Sequence, residues 1–165
     1  MFSIYKNHNK YLYNKLVELS RNIFFYKDIL LKDDFETRIN LVFLHFSLIL
    51  IIFKKKKIDF PQNIFDNIFL SIEYHIRELG YGDVAVNKKM KTLLRVFYDI
   101  LVKIKLQNTK KYLIDRSVIK KYLEPQSNQQ KQLIDDLGNY FENFYYFCFE
   151  LENNSMVEGK INFKY

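Results

Sequence analysis

The chain has 165 residues, is 48% hydrophobic, and contains four glycines, two prolines and one cysteine. This length and apolar content predict a single domain with a sizeable core and exclude a disordered chain, while the lone Cys148 excludes an internal disulfide. The net charge of +7 suits an anionic partner such as nucleic acid or lipid headgroups, but the abundance of Lys, Asn, Ile, Phe and Tyr fits an AT-rich codon bias that yields the same charge without one.

The segment Met1 to Tyr11 has neither an apolar h-region nor an Arg- and Ser-rich transit pattern, so no export signal is expected. Residues 9 to about 26 predict a first helix, with Leu12, Leu16, Leu19 and Ile23 on one face. Asp33 or Asp34 is placed to cap the next helix, with Glu36 in its first turn. That helix contains Leu41 to Phe53, "LVFLHFSLILIIF". Thirteen residues fall short of the ~20 that cross a bilayer, and a helix apolar all round is one surrounded by protein. The expectation is a central buried helix, with partial membrane insertion as the alternative. The following Lys54, Lys55, Lys56 and Lys57 read either as a solvated linker before Pro61 or as a contact for anionic headgroups or RNA.

The stretch from Phe60 to Phe97 organises the chain. Ile64, Ile68, Ile72 and Ile76 recur every four residues, with Phe65, Phe69 and Leu79 beside them, as one face of an amphipathic helix requires. Gly80 and Gly82 flank Tyr81 and stop that helix. The spacing then resumes as Val86, Met90, Leu93, Leu94, Phe97, Leu101 and Ile104, with Lys88, Lys89 and Lys91 opposite. This is a helix-turn-helix pair in the packing sense, with Asp83 or Asn87 as cap of its second helix. The turn with its adjoining lysines has two readings that do not exclude each other: a structural hinge and the border of a partner-binding surface.

Further on, Tyr112 to Leu123 predicts a helix ended by Pro125, and Gln129 to about Leu151 predicts a last long helix. Asn153-Asn154-Ser155 would end it, leaving a short tail. The result is an all-α protein, a single compact domain of about six helices spanning residues 1–165, with the helix-turn-helix pair at its centre.

Catalytic and cofactor chemistry finds little support. His8, His45 and His75 lack the spacing of paired metal ligands, and Gly80-x-Gly82-Asp83 lacks the third glycine and preceding strand of a dinucleotide fingerprint. His45 on its apolar helix reads as a hydrogen-bonded core residue, and Cys148 within Phe144 to Phe149 as a buried, inert thiol. The residues therefore predict no enzyme, no metal and no cofactor, and fit an interaction protein.

The stretch "IRELGYGDVAVNKKMKTLLRVFYD" resembles the signature of the ubiquinol-cytochrome c chaperone family in its short alphaproteobacterial form. The matching positions are Arg77, Glu78, Gly80, Gly82, Asp83, Val86, Lys88, Lys89, Met90, Lys91, Phe97 and Tyr98. Leu44-His45, Phe65-Asp66, Phe25-Tyr26 and Gly159-x-Ile161-x-Phe163 match in the same order. The chain departs from the family at Ala85 and Asn87, where Ser and Pro are usual, and at Asp99-Ile100, where Gly-Arg is usual. The resemblance implies a non-catalytic bacterial assembly factor of the respiratory chain that engages nascent cytochrome b during biogenesis of ubiquinol-cytochrome c reductase. It also implies work in the cytoplasm, peripheral to the inner membrane, and mitochondrial relatives act at the ribosomal tunnel exit. The residues assigned to partner binding are Arg77, Glu78, Gly80, Tyr81, Gly82, Asp83, Lys88, Lys89, Lys91, Phe97 and Tyr98. The alternatives are a basic RNA- or ribosome-binding protein and a peripheral membrane scaffold, neither with a cytochrome client.

Overall fold

A computed structural model describes residues 10–105 and 110–165. His8 and nearly all of the Met1 to Tyr11 segment lie outside the described residues. Among those described, seven α-helices occur: α1 (Tyr11–Ser20), α2 (Phe35–Lys55), α3 (Gln62–Glu78), α4 (Asp83–Lys103), α5 (Arg116–Tyr122), α6 (Gln130–Phe149) and α7 (Asn153–Val157). The fold is all-α, as the periodicity predicts.

α1 stops earlier than its apolar spacing suggests. The Ser20 hydroxyl donates to the Leu16 carbonyl at 2.7 Å, and the Asn22 side chain accepts from the Phe24 amide at 3.0 Å. Such side chains compete with the helical ladder. A π-helical turn, Phe24–Asp28, follows and directs Phe25 into the core. Ile23, expected on the buried face of α1, is instead 59% exposed.

Asp34 caps α2 by accepting from the Thr37 amide at 2.9 Å. With 21 residues, α2 is long and apolar enough to cross a membrane, longer than its uninterrupted apolar run. It is nevertheless the central helix of the core, packed against α1, α4 and α6. Two aromatic clusters grip it from opposite sides. Phe43 and Phe46 meet Phe97 of α4 at ring separations of 5.4 and 5.6 Å, while His45 lies 4.8 Å from Phe144 and 5.1 Å from Phe141 of α6.

His45 is fully buried and satisfied at both nitrogens. Nδ1 donates to the Leu41 carbonyl at 2.6 Å, which leaves Nε2 to accept the Tyr140 hydroxyl at 2.8 Å. Burial holds this neutral form and pushes its pKa down to about 4. Cys148 is buried too, and burial raises its thiol pKa, so it carries no thiolate at neutral pH.

On the other flank, the Arg116 side chain bridges α5 to α6 through Glu142 at 2.6 Å. It lies directly over Gly138, where a Cβ would stand 2.1 Å from the guanidinium. The C-terminal residues 153–157 form α7 rather than a tail.

The turn between α3 and α4 comprises Leu79 to Gly82. Gly80 takes φ +96°, a left-handed conformation in which its amide reaches the Arg77 carbonyl at 3.0 Å. Gly82 is extended, with φ −78° and ψ 169°, and occupies the cap position of α4. Neither Asp83 nor Asn87 is that cap. Asp83 starts the helix and pairs with Arg77, whose second nitrogen bonds Glu73 at 3.3 Å. Arg77 thus ties the last turn of α3 to the first of α4, and Asn87 sits exposed inside α4.

These two features set expected outcomes. Ala at Gly80 must adopt a positive φ, so Gly80→Ala is expected to cost about 1 to 2 kcal/mol, whereas Gly82→Ala meets no such strain and loses only the better cap, under about 1 kcal/mol; urea unfolding of both variants separates them. For His45, the unfolded chain binds more protons than the folded one between pH 6.5 and about 4. Its contribution is therefore complete above pH 6.5 and declines as pH falls through that window, by about 3 kcal/mol. Stability against pH is expected to be less steep there in His45→Leu than in the parent chain, and equal slopes would show that folding leaves the His45 pKa unchanged.

Candidate binding site at the helix turn

Two cavities meet at Phe35, and the turn borders one of them through Leu79. One, of about 570 Å³, lies between α1, the start of α2 and the end of α3, and is lined by Tyr13, Val17, Arg21, Arg38, His75 and Leu79 among others. The second, of about 440 Å³, lies between α2 and α4, against Glu36, Asn40, Ala85, Lys88, Lys89 and Leu93. Phe35 lines both. Its ring stacks on His75 at 5.4 Å with the planes 9° apart.

Local sequence explains the arrangement. Asp34 starts α2 one residue before Phe35, so the ring is held at the very end of the central helix. The stop at Gly80 leaves Leu79 54% exposed, at the edge of the first cavity. Charge is distributed around an apolar floor: Arg38 is paired with Asp33 at 2.5 Å, and Lys88, Lys89 and Glu36 all line the second cavity. A surface of this kind accepts apolar segments and orients them by polar ends.

The turn residues and the first lysines come together at this end of the bundle. Arg77, Asp83 and Glu73 satisfy one another, so Arg77 and Asp83 act first as a latch. Glu78, Gly80 and Gly82 are exposed. Tyr81 is exposed and Lys89 Nζ lies 4.4 Å from the centre of its ring. Lys88 and Lys91 are exposed and make no ion pair among the described residues.

Phe97 and Tyr98 do not join the turn. Phe97 is completely buried, 5.1 Å from Phe69 and 5.9 Å from Phe65. It is a core residue and offers nothing to a partner from this position. Tyr98 is exposed, about 22 Å along α4 from Asp83 by helix rise. Asp99 beside it is gripped by Lys103 at 2.5 Å, by Lys121 at 2.8 Å and by the Tyr122 hydroxyl. Those bonds hold its carboxyl well below the usual carboxylate range.

The lysine run is elsewhere again. α2 and α4 lie side by side in the same direction, Phe35 near Lys88 and Phe46 against Phe97, so Lys54 to Lys57 end α2 about 30 Å from Phe35. Lys56 donates to the Leu151 carbonyl at 3.1 Å and lies 5.0 Å from the centre of the Phe149 ring. Lys54, Lys55 and Lys57 are exposed. The two basic regions are separate surfaces.

Sequence reading missed Phe35, Tyr13 and Val17, because a cavity between three helices has no linear pattern. One signal was present: an aromatic residue directly after a capping Asp, at the open end of an apolar helix. His75, read only as an isolated histidine, is exposed beside Phe35. Among the described residues no group of three or more His, Cys, Asp or Glu is arranged to hold a metal.

Comparison with known proteins bears directly on this end of the molecule. A search of curated proteins returns no match. Among solved structures, the crystal structure of the Cbp3 homolog from Brucella abortus is similar, with a TM-score of 0.66 and 20% identity over 99% of this chain and 94% of that one; it supports the fold. The family model described as Ubiquinol-cytochrome C chaperone matches residues 27–112, which take in α2, the turn, the whole lining of the second cavity and the α2 and α3 side of the first. The chain belongs to the ubiquinol-cytochrome c chaperone family.

Proposed function

We propose that this chaperone binds newly made cytochrome b, without catalysis, and holds it while ubiquinol-cytochrome c reductase is built. The observation that carries the reading is the pair of cavities meeting at Phe35, apolar within and charged at the rim. A nascent membrane subunit exposes apolar helices with polar ends, and helix-in-groove binding suits such a client. Phe35, Leu79 and Leu93 supply apolar contact, while Lys88, Lys89 and Tyr81 meet the polar end of the segment. The work takes place in the cytoplasm, at the inner-membrane surface where the client is inserted.

A second reading, binding to RNA or to the ribosome near its tunnel exit, is favoured by the exposed cations Lys88 and Lys91 without ion-pair partners among the described residues. It predicts affinity for unrelated RNA that falls steeply with salt.

A photo-crosslinking residue placed in living cells at Tyr81, and separately at Thr92 on the edge of the second cavity, distinguishes the two. Recovery of cytochrome b from both positions is expected. Recovery of ribosomal proteins alone would replace the first reading by the second. Leu93→Asp, half-buried at the cavity wall, is expected to lower cytochrome b accumulation several-fold, as loss of the gene would, with the fold checked by circular dichroism.

A further inference from the structure

α4 has a third face, turned away from the core and meeting the second cavity only at Lys88. Val84, Lys88, Lys91, Arg95, Tyr98 and Val102 recur at alternating steps of four and three residues, which puts them on one stripe along the helix. All six are exposed. Val84 and Val102, at its two ends, are 85% and 77% exposed, more than any other large hydrophobic residue described. The stripe is about 27 Å long.

The three cations at its centre are not neutralised by their own helix. Asp83 is taken by Arg77, and Asp99 by Lys103, Lys121 and Tyr122. Lys88, Lys91 and Arg95 make no ion pair among the described residues. The result is a straight line of uncompensated positive charge with an aliphatic side chain at each end and a tyrosine between Arg95 and Val102.

We infer that this outward stripe of α4 is a binding surface for an anionic lipid bilayer. Charge complementarity selects a negative partner, and three facing cations on each copy oppose self-association through this face. A phosphate polymer such as RNA would use the cations but has no use for two exposed valines at either end. A flat lipid interface uses both: headgroups meet Lys88, Lys91 and Arg95, Tyr98 sits at headgroup depth, and Val84 and Val102 enter the acyl boundary. Lys88 also lines the second cavity, so a bilayer against the stripe lies beside the mouth of the groove. The inference goes beyond the client reading and does not depend on it.

Flotation of the purified chain with vesicles of phosphatidylglycerol and phosphatidylcholine in equal parts, beside vesicles of phosphatidylcholine alone, tests it. Binding to the anionic vesicles only, weakened by salt, is expected. Removing three charges in Lys88→Gln/Lys91→Gln/Arg95→Gln is expected to lower partitioning roughly 100-fold, at about 5-fold per cation. Val84→Ser/Val102→Ser is expected to lower it several-fold with the charge unchanged. Both variants sit on an exposed face, and circular dichroism checks that they fold. Gln at Lys54, Lys55 and Lys57 removes equal charge at the far end, and a loss equal to or larger than that of the α4 variant would overturn the assignment. So would equal flotation with both vesicle types, or binding to polyuridylate RNA without binding to vesicles. Because no client is present, failure here leaves the cytochrome b reading standing, and failure of the crosslinking leaves this one.

Discussion

α2 is apolar around its whole circumference, and the rest of the structure answers that constraint. A helix with Phe43 and Phe46 toward one side and His45 toward the other has no face to give to water. α1, α4 and α6 are therefore drawn around it, and each contributes aromatic or branched side chains where it touches. At roughly 1.5 to 3 kcal/mol for each large apolar side chain buried, these contacts outweigh any individual surface ion pair in the molecule. The same enclosure dictates the chemistry of His45. A buried imidazole is stable only as a satisfied neutral ring, and the Leu41 carbonyl with the Tyr140 hydroxyl provides both partners.

Enclosure is incomplete at the N-terminal end of α2, and the candidate site lies there. Phe35 stands one residue inside the cap, between the cavity lined by α1 and α3 and the cavity lined by α4. The turn keeps that opening in place. Gly80 reverses the chain, and Arg77 ties Asp83 to Glu73 across it.

α4 then divides its circumference among three tasks. Val86, Phe97 and Ile100 enter the core, Leu93 and Lys89 border a cavity, and the stripe from Val84 to Val102 faces outward. The pairing of charges sharpens the division. Acids at both ends of the helix are held by basic neighbours, which leaves the cations of the middle as the field that a partner meets. The family match over α2, the turn and α4 coincides with the part of the chain in which all three tasks are combined.

The sequence by itself determined the all-α class, the helix-turn-helix pair about Gly80 and Gly82, the burial of the Leu41 to Phe53 helix, the inert character of Cys148 and, through co-linear motifs, the family. Each of these is written in near neighbours: periodicity, a capping Asp, a glycine that alone tolerates φ +96°. Only the tertiary structure decided that Phe97 is core while Tyr98 is surface, that Lys54 to Lys57 lie at the opposite end from the turn, and that Asp83 serves Arg77 rather than capping α4. It also decided that Phe35, Tyr13 and His75 converge on one opening. These outcomes depend on which helix lies beside which, and side chains from distant segments meet only once the apolar circumference of α2 has gathered them.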